Sequence, residues 1–118
     1  MPKNYSSFEE GDIVVLELPF TDLIGRKMRP VFVLSSKELN NASNDIIVAK
    51  ISSSNQIRGY EAELKQRDLE DGRIKKTSYI HGHSIFTVEK HLIVKKIGRV
   101  NKKKLEDVKS IIKKALKI

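Results

Sequence analysis

Apolar residues in this chain come in short blocks rich in β-branched side chains, and only the last eighteen residues space them as a helix does. That contrast constrains the fold more than any other feature. "GDIVVLELPF" (residues 11–20) reads as a first strand closing at Pro19-Phe20. "TDLIGRKM" holds Gly25 and two bases and reads as a loop. "RPVFVLSS" (29–36) is a second strand, with an unbroken apolar run that suits a buried position. "KELNNASN" is a connection or a short helical turn, and "DIIVAKIS" (45–52) a third strand. "YEAEL" (60–64) alternates weakly as a strand, and "KQRDLEDGRIKK" is polar and reads as a helical turn and loop. "TSYIHGH" (77–83) and "LIVKKIGRV" (92–100) complete the strands. In "NKKKLEDVKSIIKKALKI" the residues Leu105, Val108, Ile111, Ile112, Ala115 and Leu116 make one apolar stripe, with Asn101 as the N-cap. Short strands with turn signals and one terminal helix predict a mainly β fold, a small, largely antiparallel barrel.

The chain of 118 residues suits one domain, with no internal repeat or linker, so residues 1–118 are expected to form a single unit. Its formal net charge is +8, and the excess is local. From Lys90 onward there are eleven Lys or Arg and two acids, against twelve bases and thirteen acids before it. Such a tail attracts nucleic acid or is the wet face of a packed helix. Lys102, Lys103 and Lys104 stand at the helix N-terminus, where the macrodipole disfavours cations, which points mildly to an anionic partner. Without cysteine, neither a disulfide framework nor a thiolate metal site can form. No apolar run reaches the ~18 residues of a membrane span. The first residues are polar and acidic, unlike a signal peptide, so a cytoplasmic protein is expected.

Phosphate-loop, dinucleotide and paired-His helix signatures are missing, and no acidic pair is placed for two-metal chemistry. Three features remain. Arg29 puts a permanent cation at the mouth of a core strand, because Pro30 holds it extended; a salt bridge or a phosphate would account for it. A serine cluster, Ser52, Ser53 and Ser54, follows the third strand. His81 and His83 are two apart on an expected strand, hence on one face, with only Gly82 between them. Two adjacent imidazoles can act as base and acid near neutral pH. They can also bind a metal, although no third ligand is evident in the sequence, and no metal or cofactor is expected. Two surface histidines at a strand end are the plainer reading.

The block "GDIVVLELPFTD", a Gly-containing basic loop, "RPVFVLSS" and "DIIVAKISS", with "FTVEKHLIVKKIGRV" and a basic terminal helix, resembles the PemK/MazF-like toxin family over about residues 10–116. The resemblance implies a small SH3-like antiparallel barrel of the PemK/CcdB type. It implies a homodimeric toxin of a type II toxin–antitoxin pair, with a cognate antitoxin as partner. The implied activity is metal-independent endoribonuclease cleavage of single-stranded RNA. On this likeness Arg29 matches the family's Arg-Pro arginine in the cleaving site, and Ser52 the hydroxyl position after the third strand. His81 and His83 fall where some members carry Arg and Asp, which is a departure. Metal-free cleavage by the ribose 2′-OH needs a base, an acid and a cation for the phosphorane. Arg29 suits the last role, His81 and His83 the first two, and Ser52 a hydrogen bond to a phosphate oxygen. The loop at residues 21–28 is the expected RNA-steering element, with Arg26 and Lys27, joined by Ser53, as RNA contacts. The alternative is a barrel without catalysis or with another target, since gyrase-poisoning toxins share this architecture and fold does not fix function.

Overall fold

The computed structural model describes residues 8–19, 26–55 and 57–118. The chain runs β1 (Asp12–Pro19), β2 (Arg26–Val33), α1 (Lys37–Ala42), β3 (Asp45–Ser52), β4 (Glu61–Leu64), β5 (Leu69–Gly72), β6 (Ser78–Glu89), β7 (Ile93–Val100) and α2 (Lys102–Leu116). All seven strands join one antiparallel sheet in the order β4-β6-β3-β2-β1-β7-β5, curled into a half-barrel. The mainly β fold with a terminal helix is the one expected.

The central strands read as apolar runs because both faces of the sheet are covered. On β1, Val14 and Leu16 enter one apolar cluster and Ile13 the other; on β2, Val31 and Val33 oppose Phe32; on β3, Ile46 and Val48 oppose Ala49 and Ile51. Helix α2 closes the second cluster. Val108 is buried there, with Leu105, Ile111 and Ile112 packed beside it. Asn101 caps this helix as expected, its Oδ1 accepting from the Lys104 N–H at 2.8 Å. Lys104 also holds the helix to the sheet, since its ammonium donates to the Glu63 carbonyl at 2.8 Å and lies 3.6 Å from Asp68. The lysine triplet therefore says less about an anionic partner than its position at the dipole suggests.

Four boundaries differ from the sequence reading. Strand β2 begins at Arg26, so residues 26–28 extend it opposite Pro19, Leu18 and Glu17 rather than lying in a loop. Residues 20–25 lie outside the described residues. Strand β2 stops at Val33 instead of running to residue 36, and Ser36 caps α1, accepting from the Leu39 N–H at 3.1 Å. Residues 69–72, read as loop, form the edge strand β5 against β7; only Leu69 is turned inward, so no apolar period announces it. Strand β6 also runs six residues past His83, to Glu89.

A partly buried ion pair joins the neighbouring strands β1 and β7, where Asp12 and Arg99 lie opposite each other. Asp12 is fully buried; its Oδ1 accepts from Arg99 Nε at 2.8 Å, and Lys96 Nζ lies 3.2 Å from it. Its Oδ2 accepts from the Glu9 N–H at 3.0 Å. The hydrogen bond to Asp12, aided by Glu9 and Glu70, raises the Arg99 pKa against its partial desolvation.

Candidate active site

Sheet register gathers most of the residues singled out in the sequence. Val31 lies opposite Lys50, Lys50 opposite His81, and His81 opposite Glu61. This row crosses β2, β3, β6 and β4 on one face. The next same-face row holds Ser52, Tyr79 and Glu63, in register with one another. The β2–β3 ladder ends at Val31 and Lys50, so Arg29 and Ser52 are each one same-face step beyond its last pair. Arg29 is exposed. Ser52 is half-buried, and its Oγ accepts from the Ser54 N–H at 3.1 Å, which leaves its own hydrogen free to donate. Lys27, two residues before Arg29, shares its face and is half-buried. Arg26 stands at the first position of β2, Ser53 is exposed, and residues 21–25 of the expected steering loop lie outside the described residues.

The two histidines are brought together, but not as a regular strand would do it. Between the pairs Ala49–Ile85 and Lys50–His81 the register shifts, leaving Gly82, His83 and Ser84 as an unopposed bulge in β6. The sequence alone places both imidazoles side by side on an open face. Instead His81 is fully buried and His83 is exposed, with ring centroids 5.3 Å apart and planes tilted by 31°. Gly82 makes this shape possible. Its N–H donates to the Tyr60 carbonyl at 2.9 Å, and a Cβ there would come within 2.6 Å of Ile111 Cγ2 on α2. Backbone and helix together hold the bulge.

His81 is engaged at Nε2, 3.1 Å from the Ser54 carbonyl oxygen, so it ties the serine bend to β6. Its Nδ1 faces Glu61, whose Oε2 is 3.3 Å away. The Glu61 side chain is 1% exposed, and the same Oε2 accepts from the Ile57 N–H at 3.1 Å. Glu61 is the residue that sequence reasoning missed. Its only signal is membership of a strand, "YEAEL", whose register against β6 is decided by packing. Glu61, His81 and His83 offer ligand atoms all within 4.8 Å of one another. A third side chain able to serve as a ligand, which the sequence does not show, therefore stands beside the two imidazoles.

On the opposite face lies a groove of about 470 Å³, lined by Ile13, Val15, Met28 and Pro30 and by the cations Arg73, Lys75, Lys76 and Lys95. Met28 is 49% exposed there. No helix among the described residues is long and apolar enough to cross a membrane.

With this geometry in hand, the likeness to known proteins has a physical basis. The fold superposes on an endoribonuclease from a mycobacterial species with a TM-score of 0.76 at 15% identity, covering 100% of this chain and 97% of the other. It superposes on a MazE–MazF structure from Deinococcus radiodurans with a TM-score of 0.77 at 15% identity, covering 94% and 96%. A mycobacterial endoribonuclease in complex with its cognate antitoxin gives 0.72 at 12% identity, covering 95% and 97%. No curated protein matches the chain in sequence. A family model described as "PemK-like, MazF-like toxin of type II toxin-antitoxin system" matches residues 9–116. The half-barrel with its Arg29-Pro30 strand and terminal helix therefore belongs to the PemK-like, MazF-like toxin family of type II toxin–antitoxin systems.

Proposed function

We propose that this toxin is a metal-independent endoribonuclease that cuts single-stranded RNA through attack of the ribose 2′-OH on the adjacent phosphorus. The observation that supports it best is the shared edge of β2 and β3, where Arg29 and Ser52 occupy the same face, one step beyond the last pair of their ladder. Arg29 is exposed, and its guanidinium stays protonated and grips phosphate oxygens in two directions. It stabilises the charge that builds on the phosphorane. Ser52 donates its O–H to a non-bridging oxygen. His83, at the surface of the bulge, is the proton-transfer group. His81 is enclosed, so we assign it the acid–base pair's inner member, acting by positioning: it holds the bend at residues 52–54 through Ser54 and stacks near His83. Arg26, Lys27 and Ser53 extend the phosphate-binding strip, which steers RNA by charge and leaves base choice to unpaired, splayed nucleotides.

The same reading carries over the family's homodimer and a cognate antitoxin, and a cytoplasmic site of action. The apolar groove lined by Arg73, Lys75, Lys76 and Lys95 suits an acidic, partly apolar segment of such a partner.

Arg29→Ala tests the assignment. It is expected to abolish cleavage while shifting stability by less than about 1 kcal/mol, because exposed ionic contacts contribute little. A variant that unfolds would make Arg29 a structural residue.

A further inference from the structure

We propose that Glu61, His81 and His83 form a binding site for a divalent cation of the zinc class. The inference starts from the hydrogen on His81. The Ser54 carbonyl can only accept, so Nε2, 3.1 Å away, carries the proton. In the neutral ring Nδ1 is then a bare lone pair. It is wholly buried and has no hydrogen-bond partner among the described residues. Glu61 Oε2, 3.3 Å away, is also a lone-pair donor and does not sit in hydrogen-bond geometry to it.

Two lone pairs confronting each other in a buried place call for a positive centre between them. The spacing has the size that such a centre requires. Zinc bonds of about 2.0–2.1 Å to nitrogen and oxygen put tetrahedral ligands about 3.3–3.4 Å apart. His83 supplies the third ligand: the donor atoms of all three side chains lie within 4.8 Å of one another. Its ring is exposed and free to rotate the remaining distance, whereas the two buried ligands are already set.

A second feature supports the same assignment. Imidazoles that bind metals commonly donate their other ring N–H to a backbone carbonyl, which fixes the tautomer and aims the ligating nitrogen. His81 makes that bond to Ser54. The donor set is two imidazoles and one carboxylate. It favours zinc, cobalt or nickel over magnesium or calcium, which prefer oxygen alone. Lys50, across from His81 in register, is exposed, so its ammonium need not share the buried space. Three protein ligands leave a fourth position open on the His83 side.

Bound metal takes the lone pair that His83 needs for proton transfer. On the ribonuclease reading, zinc is therefore an inhibitor of RNA cleavage, and this consequence alone rests on that reading.

The test uses tag-free protein stripped with chelator and titrated with zinc chloride by calorimetry, with cobalt(II) chloride as an optical probe. One zinc per chain is expected, with visible cobalt bands of low-coordination type. His83→Ala, at an exposed position, should keep the wild-type melting temperature and lose at least ~10-fold in zinc affinity, as should Glu61→Gln. His91→Ala, changing the surface histidine near Glu89, should bind as wild type. Absence of zinc binding, or equal affinity in His83→Ala, overturns the site. RNA cleavage read in the same samples separates the two proposals. Zinc bound without loss of cleavage removes His83 from the reaction and leaves the metal site standing. Active protein that binds no zinc does the reverse.

Discussion

Replacing Gly82 with alanine probes the bulge on which the site depends. A Cβ at this position would lie 2.6 Å from Ile111 Cγ2 and 3.2 Å from the Tyr60 carbonyl oxygen. Carbon atoms in contact prefer about 3.5–4.0 Å, so the first approach is close to 1 Å too short. The carbonyl cannot retreat cheaply, because it accepts the Gly82 N–H at 2.9 Å. The strain therefore falls on Ile111 and on the α2 contact with the sheet. Overpacking of this kind costs about 1–3 kcal/mol, and we expect ~2 kcal/mol for Gly82→Ala. That corresponds to a fall of roughly 8 °C in Tm for a chain of this size. Gly82 does not adopt a positive φ, so alanine is conformationally admissible there. Once Ile111→Ala has removed the opposing methyl, Gly82→Ala should be neutral or stabilise by ~0.5 kcal/mol through the unfolded chain. Urea unfolding of the four proteins gives the coupling, expected at about 2 kcal/mol with unchanged m-values. Equal costs in both backgrounds would refute the idea that helix α2 shapes the bulge. So would a Gly82→Ala protein as stable as wild type.

Three further outcomes are expected. Asp12→Ala leaves Arg99 and Lys96 without their shared carboxylate; since Arg99 is 28% exposed, a loss of ~2–3 kcal/mol in urea unfolding is expected, below the fully buried case. A change under about 0.5 kcal/mol would show that water replaces Asp12 at no cost. His83→Ala should lower the RNA cleavage rate by about 100- to 10,000-fold and flatten its dependence on pH, measured by gel kinetics; an unchanged profile removes His83 from proton transfer. The double change Lys75→Glu and Lys76→Glu should weaken binding of the cognate antitoxin by at least ~10-fold and reduce its salt dependence, measured by calorimetry; an unaltered affinity would place the partner elsewhere.

Much of the fold is legible along the chain because its signals are local. Residues 45–52 form β3 as written, and the stripe from Leu105 to Leu116 with Asn101 before it forms α2. Short apolar runs and a cap need no knowledge of what lies across the sheet. β5 is hidden because an edge strand with one inward residue carries no alternation. The site is legible only in part. Arg29, Ser52 and the histidine pair stand out by residue type and spacing. Glu61 does not, since it lies twenty positions from His81 and meets it only through the β4–β6 register. The burial of His81 is equally hidden. It follows from groups that the chain order keeps apart: the Ser54 carbonyl at Nε2, Glu61 across the register, and His83 brought over by a three-residue bulge.

RNA cleavage at Arg29 without a metal is tested most directly by end-group analysis. Purified protein is incubated with a long single-stranded RNA in excess EDTA, beside the Arg29→Ala variant. Discrete fragments bearing 2′,3′-cyclic phosphate ends from the wild type alone are the predicted result. Intact RNA from both proteins, or fragments ending in 3′-hydroxyl groups, would contradict it.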